Sequence, residues 1–148
     1  MGFDLRGKGG YFCLNNERWY HCLDIACAFG WEPAGTQLPD GPPEARGNPG
    51  PDWKWDGGYN SNDFQMVTDD DAKALAAALD RAIEAEKTGA MTKEQRAAFD
   101  GQPEDPFWET EGRAFLKKHK EAEGNSPKWR GRLKEFADFA RQGSFRLG

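Results

Sequence analysis

Four aromatic residues flank one Pro- and Gly-rich stretch of the chain, with basic residues beside them: Trp31, Trp53, Trp55 and Tyr59, together with Arg46 and Lys54. Such rings can stack on a planar ligand or a peptide, and a nearby cation strengthens the contact. The same rings could instead fill the core, because only 37% of the residues are hydrophobic. Both interpretations stay open. The predicted ligand-binding residues are Trp31, Arg46, Trp53, Trp55 and Tyr59, with Asn60 and Asn62 of the polar turn that follows.

Acidic side chains follow this turn, and their oxygens could ligate a hard cation such as Mg²⁺ or Ca²⁺. They are Asp63 and the run Asp69–Asp71. Three acids in the first turn of a helix are also what the helix dipole favours, and the spacing differs from that of an EF-hand loop. Capping is therefore the simpler explanation. A divalent-metal-dependent hydrolase using Asp63 and Asp69–Asp71 stays as the alternative function.

The cysteine and histidine residues predict neither a metal site nor a nucleophile. Cys22 and Cys27 lie five positions apart on a predicted helix, so their side chains point about 140° apart around its axis. His21 is adjacent to Cys22, and residues one position apart on a helix do not face each other. The motifs G-x-S-x-G, H-E-x-x-H and G-x-x-x-x-G-K-[ST] do not occur. We expect buried, unreactive thiols, Cys13 included, and no catalytic residue, metal ligand or cofactor.

Composition and charge limit the class of protein. A chain of 148 residues has the length of one domain, and its net charge of −5 argues against duplex nucleic acid as the main partner. Basic residues at 117–120 and 128–134 leave a local nucleic-acid contact open, but a solvated helix face explains them better, so we do not expect a nucleic-acid partner. The sequence has no apolar run of the ~20 residues that span a bilayer. With three cysteines and no export signal, we expect a cytoplasmic protein, monomeric or homodimeric.

Apolar periodicity and turn signals predict an α+β fold, with a small, mostly antiparallel sheet packed with four or five helices. We expect one domain over residues 1–148, with a loop at about 38–52. Helices are predicted at 17–29, 68–86, 92–99, 108–121 and 126–142, and strands at 10–14, 53–55, 65–67 and 144–147. The last strand is expected to pair with residues 10–14. The run at 7–10, GKGG, could meet a phosphate, but it lacks the amides of a helix N-terminus, so a flexible approach to the first strand is expected.

Three blocks of sequence carry a resemblance: GYFCLNNERW with GWEPAGT, then YNSNDFQMVTDDDAKALAAAL, then LKEFADFARQGSFRLG. They resemble a family of small bacterial and phage proteins with a GW-x-P-x-GT turn, a strand before an acid-capped helix, and an aromatic C-terminal helix. The resemblance covers about half of the chain. It implies that the blocks belong to one domain, and it implies no activity.

The function expected from the sequence is that of a non-enzymatic binding module. Its ligand would be a protein or a small polar molecule, for example a nucleotide-like compound stacked on Trp and held by Arg or Lys. A phage or defence-related sequestering protein would fit this description.

Overall fold

The computed structural model of the chain describes residues 2–38, 52, 54–103 and 127–148. These residues form four helices and four strands, in the order β1 (Gly2–Gly7), β2 (Gly10–Asn15), α1 (Asn16–Ala28), β3 (Met66–Val67), α2 (Asp69–Thr88), α3 (Lys93–Phe99), α4 (Pro127–Arg141) and β4 (Phe145–Leu147). The predicted α+β fold is confirmed. Most of the predicted loop at 38–52 and the whole predicted helix at 108–121 lie outside the described residues.

The strands form one sheet in the order β2-β1-β4-β3, and every pair is antiparallel. The C-terminal strand pairs with β1, with Leu5 opposite Leu147, so the predicted pairing with residues 10–14 was wrong. The first strand was missed because it offers only two inward apolar side chains, Phe3 and Leu5, between glycines. Because β4 pairs with β1 and not with β2, β2 lies at one edge of the sheet.

The glycine run before β2 is the turn of the hairpin between β1 and β2, and not a flexible approach. Gly10 has a φ of +98°, which a residue with a side chain rarely adopts. A Cβ on Gly7 would lie 2.7 Å from the Cα of Phe145, so only glycine allows β4 to approach β1 here. Lys8 within the turn reaches Asp69 of α2, with its Nζ 2.8 Å from Oδ1.

The helices begin at the caps that the sequence indicates. The side chain of Asn15 accepts from the amide of Arg18, and that of Thr68 accepts from the amide of Asp71. The third helix has a complete capping box, in which Thr92 and Gln95 each bond to the backbone of the other. These short-range signals fix where α1, α2 and α3 start.

The core lies between the helices and one face of the sheet. Phe3 and Leu5 of β1 are buried there, as is Trp19 of α1, whose ring lies 5.3 Å from that of Phe3 and 5.9 Å from that of Phe136. Aromatic residues therefore supply much of the apolar contact in a chain with few large aliphatic residues. The opposite face of the sheet carries exposed side chains. Among the described residues, no helix is both long and apolar enough to cross a membrane.

The predicted strand at 53–55 is absent from the part that the structure describes: residues 54–58 have no strand pairing, and Trp53 is not described. This segment is instead held by bonds to Thr36. The amide of Thr36 donates to the carbonyl of Gly57 over 3.0 Å, and Trp55 Nε1 donates to the Thr36 hydroxyl over 3.0 Å.

Candidate functional site

Two of the predicted ligand-binding residues, Trp31 and Tyr59, lie in the core. Each is 3% exposed, and their rings meet edge to face with centroids 5.4 Å apart. Both donate to the same buried carboxylate, that of Asp71. Their rings are therefore enclosed by the protein itself.

The carboxylate of Asp71 accepts three hydrogen bonds. Oδ1 accepts from Trp31 Nε1 over 2.9 Å and from the amide of Ala34 over 3.2 Å, and Oδ2 accepts from the Tyr59 hydroxyl over 2.6 Å. Burial raises the pKa of Tyr59, and its hydrogen bond to Asp71 raises it further. The phenol therefore stays protonated and donating, and this buried network joins α2 to the turn at residues 31–36.

The other predicted residues lie nearer to the surface. Trp55 is partly buried against Thr36, and Asn60 and Asn62 are exposed. The side chain of Asn62 donates to the carbonyl of Gly2 over 3.0 Å, which ties the polar turn to β1. Arg46 and Trp53 lie outside the described residues. The structure thus divides the predicted set between the core and an exposed turn.

The carboxylates of the alternative function face different partners. Asp69 accepts from Lys8 and from the amide of Ser144, and these bonds lower its pKa to about 2. Asp71 belongs to the buried network, and Asp63 accepts from Ser61 over 2.7 Å. Within the described ranges, no group of three or more His, Cys, Asp or Glu residues could hold a metal ion.

The three cysteines differ in exposure. Cys22 is fully buried, and burial raises its pKa. Cys27 is half-buried, and burial, with the nearby Asp24 carboxylate, raises its pKa to about 11. The expectation of a buried thiol is wrong for Cys13, which is exposed because its side chain points away from the core face of β2.

His21 packs inside the protein and not against a thiol. Its Nε2 lies 3.1 Å from the carbonyl oxygen of Ala98 and 2.9 Å from that of Phe99, at the C-terminal end of α3. Carbonyl oxygens only accept hydrogen bonds, so this geometry assigns the proton to Nε2. The imidazole also stacks on Trp129, with ring centroids 5.1 Å apart.

Trp129 also contributes to the lining of an open cavity of about 510 Å³ beside the edge strand β2. We call it the basic cavity, and the described residues that line it are Cys13, Leu14, Asn15, Arg18, Lys128, Trp129 and Arg132. It lies beside the first residues of α1 and α4. Three cationic side chains, Arg18, Lys128 and Arg132, give it a positive potential.

The guanidinium groups in the basic cavity lie flat against aromatic rings. Arg18 lies over Trp129 with its Cζ 4.3 Å from the ring centroid, and Arg132 lies 4.0 Å from the centroid of Phe12. Arg132 also donates to the carbonyl of Cys13 and pairs with Glu135 over 2.9 Å. Lys128 is exposed and has no ion pair among the described residues. The cavity thus presents one exposed cation without an ion pair among the described residues beside two that contact aromatic rings.

Sequence reasoning had singled out some of these residues, but not their juxtaposition. Lys128 and Arg132 appeared as part of a basic helix face, and Cys13 appeared as a thiol. Arg132 and Cys13 are 119 positions apart, and no local pattern indicates that they meet. A local signal was the helix predicted from residue 17, which places the start of α1 directly after β2.

No family model, no curated protein and no solved structure matches this chain. The resemblance to a family of small bacterial and phage proteins therefore stays a prediction.

Proposed function

We propose that this protein is a binding module for a small anionic ligand with a planar ring, such as a nucleotide, and that the basic cavity holds this ligand. The observation that carries the proposal is the convergence of Arg18, Lys128 and Arg132 on one open cavity in a chain of net charge −5. A local excess of positive charge on an acidic protein selects for an anion of matching size.

Size and shape favour a small molecule. The volume of about 510 Å³ falls within the ~300–1,000 Å³ typical of ligand pockets. The indole of Trp129 is itself buried, but the Arg18 guanidinium that lies over it offers a flat surface to a ring, while Lys128 can pair with a phosphate as a point charge. The ring and the phosphate of a nucleotide would each meet a matching group in the cavity.

The lining supports binding more than catalysis. The described residues around the cavity include no His, Asp or Glu, so none of them can act as a general base for Cys13. The Sγ of Cys13 lies 3.9 Å from Nη2 of Arg132. An arginine can hold an anion, but it does not take a proton from a thiol at neutral pH.

Isothermal titration calorimetry with AMP, ADP, pyrophosphate and adenosine tests the proposal. We expect the phosphate-bearing ligands to bind and adenosine to bind at least tenfold more weakly, since the charge supplies most of the affinity. Replacing Lys128→Gln should weaken ADP binding about tenfold, consistent with the ~1.5–3 kcal/mol of a charged hydrogen bond. Lys134→Gln is the matched control, because Lys134 lies on the same helix and pairs with Asp138 outside the cavity.

Two results would contradict the proposal. One is the absence of a heat signal for all the phosphate-bearing ligands at millimolar concentration. The other is equal ADP affinity in the Lys128→Gln and Lys134→Gln variants, which would place the ligand elsewhere. Adding Mg²⁺ to the same titrations would also show whether a metal ion changes the affinity, as the alternative hydrolase requires.

A further inference from the structure

The outer face of the sheet, opposite the core, carries the two exposed large hydrophobic residues among those described. Tyr11 on β2 is 55% exposed, and Phe64, just before β3, is 53% exposed. Single exposed aromatic rings are common on protein surfaces, so the residues that lie between these two decide whether the face can bind a partner. The two rings lie at opposite edges of the sheet, so they belong to one face and not to one cluster.

Two arginines connect the rings. Arg6 lies opposite Tyr11 in one pair of strands and opposite Arg146 in the next. The Arg6 guanidinium lies 5.1 Å from the centroid of Tyr11, and that of Arg146 lies 4.9 Å from the centroid of Phe64. We call Tyr11, Arg6, Arg146 and Phe64 the outer-face row. Tyr11, Arg6 and Arg146 lie on three neighbouring strands, and Phe64 precedes β3, in which Met66 lies opposite Arg146.

The charges of the row are not neutralised within the described part of the chain. Neither Arg6 nor Arg146 has an ion pair there, and Nε of Arg146 is covered without a hydrogen-bond partner. Like charges directly opposite each other on neighbouring strands destabilise a sheet. The acid on this face, Asp4, instead accepts from the Tyr11 hydroxyl over 2.5 Å. An anion beside either guanidinium group would supply the missing opposite charge.

We propose that the outer-face row binds single-stranded nucleic acid, with bases stacked on Tyr11 and Phe64 and phosphates held by Arg6 and Arg146. The open face of a four-stranded antiparallel sheet with exposed aromatic residues suits two or three unpaired bases. A duplex hides its bases and needs a broader positive face than two arginines in a chain of net charge −5 supply. The overall negative charge opposes binding only weakly, because salt screens charges more than about 10 Å away.

An acidic protein segment would also be attracted to the arginines, but it fits the row less well. Peptides that add to a sheet use the backbone of an edge strand, and here Arg132 occupies the Cys13 carbonyl of β2 while Gln37 bridges Met66 of β3. A segment lying on the face would have to use side chains alone. The row instead has a ring at each end and two guanidinium groups between them, so bases can stack at the ends while the phosphates between them pair with the arginines.

Fluorescence anisotropy with labelled dT12 and rU12 at about 50 and 200 mM salt tests this proposal. We expect binding that weakens with salt, with a log–log slope of about −1.4 for two phosphates on a single strand. The double variant Arg6→Gln/Arg146→Gln should lose at least tenfold in affinity and most of the slope. Lys93→Gln on α3 is the matched charge control, and Lys128→Gln shows that the basic cavity is not the site measured.

The rings are tested by paired substitutions. Tyr11→Phe keeps the ring and should bind as well as the unaltered protein, whereas Tyr11→Leu should lose about fivefold or more, as expected when a stacked base loses its ring. Asp4→Asn should tighten binding, since it removes the negative charge that lies beside Tyr11. Thermal melts of each variant confirm that these exposed substitutions leave the fold intact.

Three outcomes would overturn the proposal. The first is no binding of either oligonucleotide at the lower salt concentration, and the second is equal binding of a duplex of the same length. The third is competition by polyglutamate as effective as that by unlabelled dT12, which would assign the surface to an acidic protein partner. Failure of ADP to bind the basic cavity would leave this proposal untouched, because the two sites share no residue.

Discussion

The hydroxyl of Tyr59 donates to Oδ2 of Asp71 over 2.6 Å, and both residues are buried. Sequence patterns assign the first to a ligand platform and the second to a helix cap. In the structure they form one contact that fastens the polar turn after the aromatic segment onto α2. The carboxylate accepts hydrogen bonds from an indole, a phenol and a backbone amide at once, so the network stabilises the fold.

Replacing Asp71→Asn should destabilise the protein by about 2–3 kcal/mol, because an amide in place of the carboxylate turns donors toward the donors already there. Asp70→Asn is the matched control: Asp70 is exposed in the same helical turn, and its loss should cost only about 0.3–1 kcal/mol through the helix dipole. Urea unfolding followed by fluorescence measures both. Equal losses for the two variants would show that the buried network adds nothing beyond the dipole.

The ion pair between Asp69 and Lys8 should make stability depend on pH. Lys8 and the amide of Ser144 hold the pKa of Asp69 at about 2 in the folded protein, below its usual value of 3.8. A lowered folded-state pKa stabilises the protein above the unfolded value, and that contribution disappears as the pH falls from about 4 to about 2. We therefore expect Asp69→Asn to be less stable than the unaltered protein at pH 6, with the difference vanishing near pH 2.

Urea unfolding between pH 2 and pH 7 checks this expectation. Lys8→Gln should show a smaller loss at pH 6, because the Ser144 amide still bonds to the carboxylate. Higher salt should shrink both losses, since the pair is exposed. A stability difference for Asp69→Asn that stays constant down to pH 2 would contradict the assignment.

Much of the fold could be predicted from the sequence because helix signals are local. Thr92 and Gln95 lie three residues apart and cap the same helix, and Thr68 caps α2 in the same way. Strand pairing is not local. The pairing of Leu5 with Leu147 joins the two ends of the chain, and no pattern within either strand specifies the partner.

The candidate site was harder to predict for the same reason. The sequence around a tryptophan between Pro- and Gly-rich turns does not show whether its ring is buried, as in Trp31, or only partly buried, as in Trp55. The basic cavity depends on α4 packing beside β2, which brings Arg132 to Cys13 from the far end of the chain. The residue types could be recognised from the sequence, but which of them lie close together in the fold could not.

Phe64 should be a rare position at which glycine is better tolerated than alanine. Its φ is +64°, a left-handed conformation that costs a residue with a side chain about 1–2 kcal/mol. Phe64→Gly removes this strain together with the exposed ring, whereas Phe64→Ala removes only the ring. We expect the glycine variant to be more stable than the alanine variant by about 1 kcal/mol.

Urea unfolding of the two variants gives this difference directly. Ala77, exposed within α2, is the matched control, because Ala77→Gly should be destabilising by about 1 kcal/mol. If glycine is more stable than alanine at position 64 but less stable at position 77, backbone strain determines the effect at Phe64. Greater stability of Phe64→Ala than of Phe64→Gly would show that the left-handed conformation relaxes when the ring is removed.

The thiols should react with N-ethylmaleimide in an order set by their surroundings, with Cys13 fastest. Only the thiolate is nucleophilic, and a pKa of about 11 leaves Cys27 with about one thiolate in a thousand at pH 8. Cys22 is fully buried and should react only on unfolding. Peptide mass spectrometry over a time course measures all three rates in one sample, so the slow thiols serve as internal references for Cys13.

The same reaction reports on the basic cavity, because Cys13 is part of its lining. Saturating ADP should slow the alkylation of Cys13 severalfold while leaving Cys27 unchanged, since a bound ligand shields only the residues around it. Lys128→Gln should abolish this protection at the same ADP concentration, and Lys134→Gln should preserve it. If ADP slows Cys13 and Cys27 equally, the ligand acts by reducing global unfolding, and its binding site is not identified by the cavity thiol.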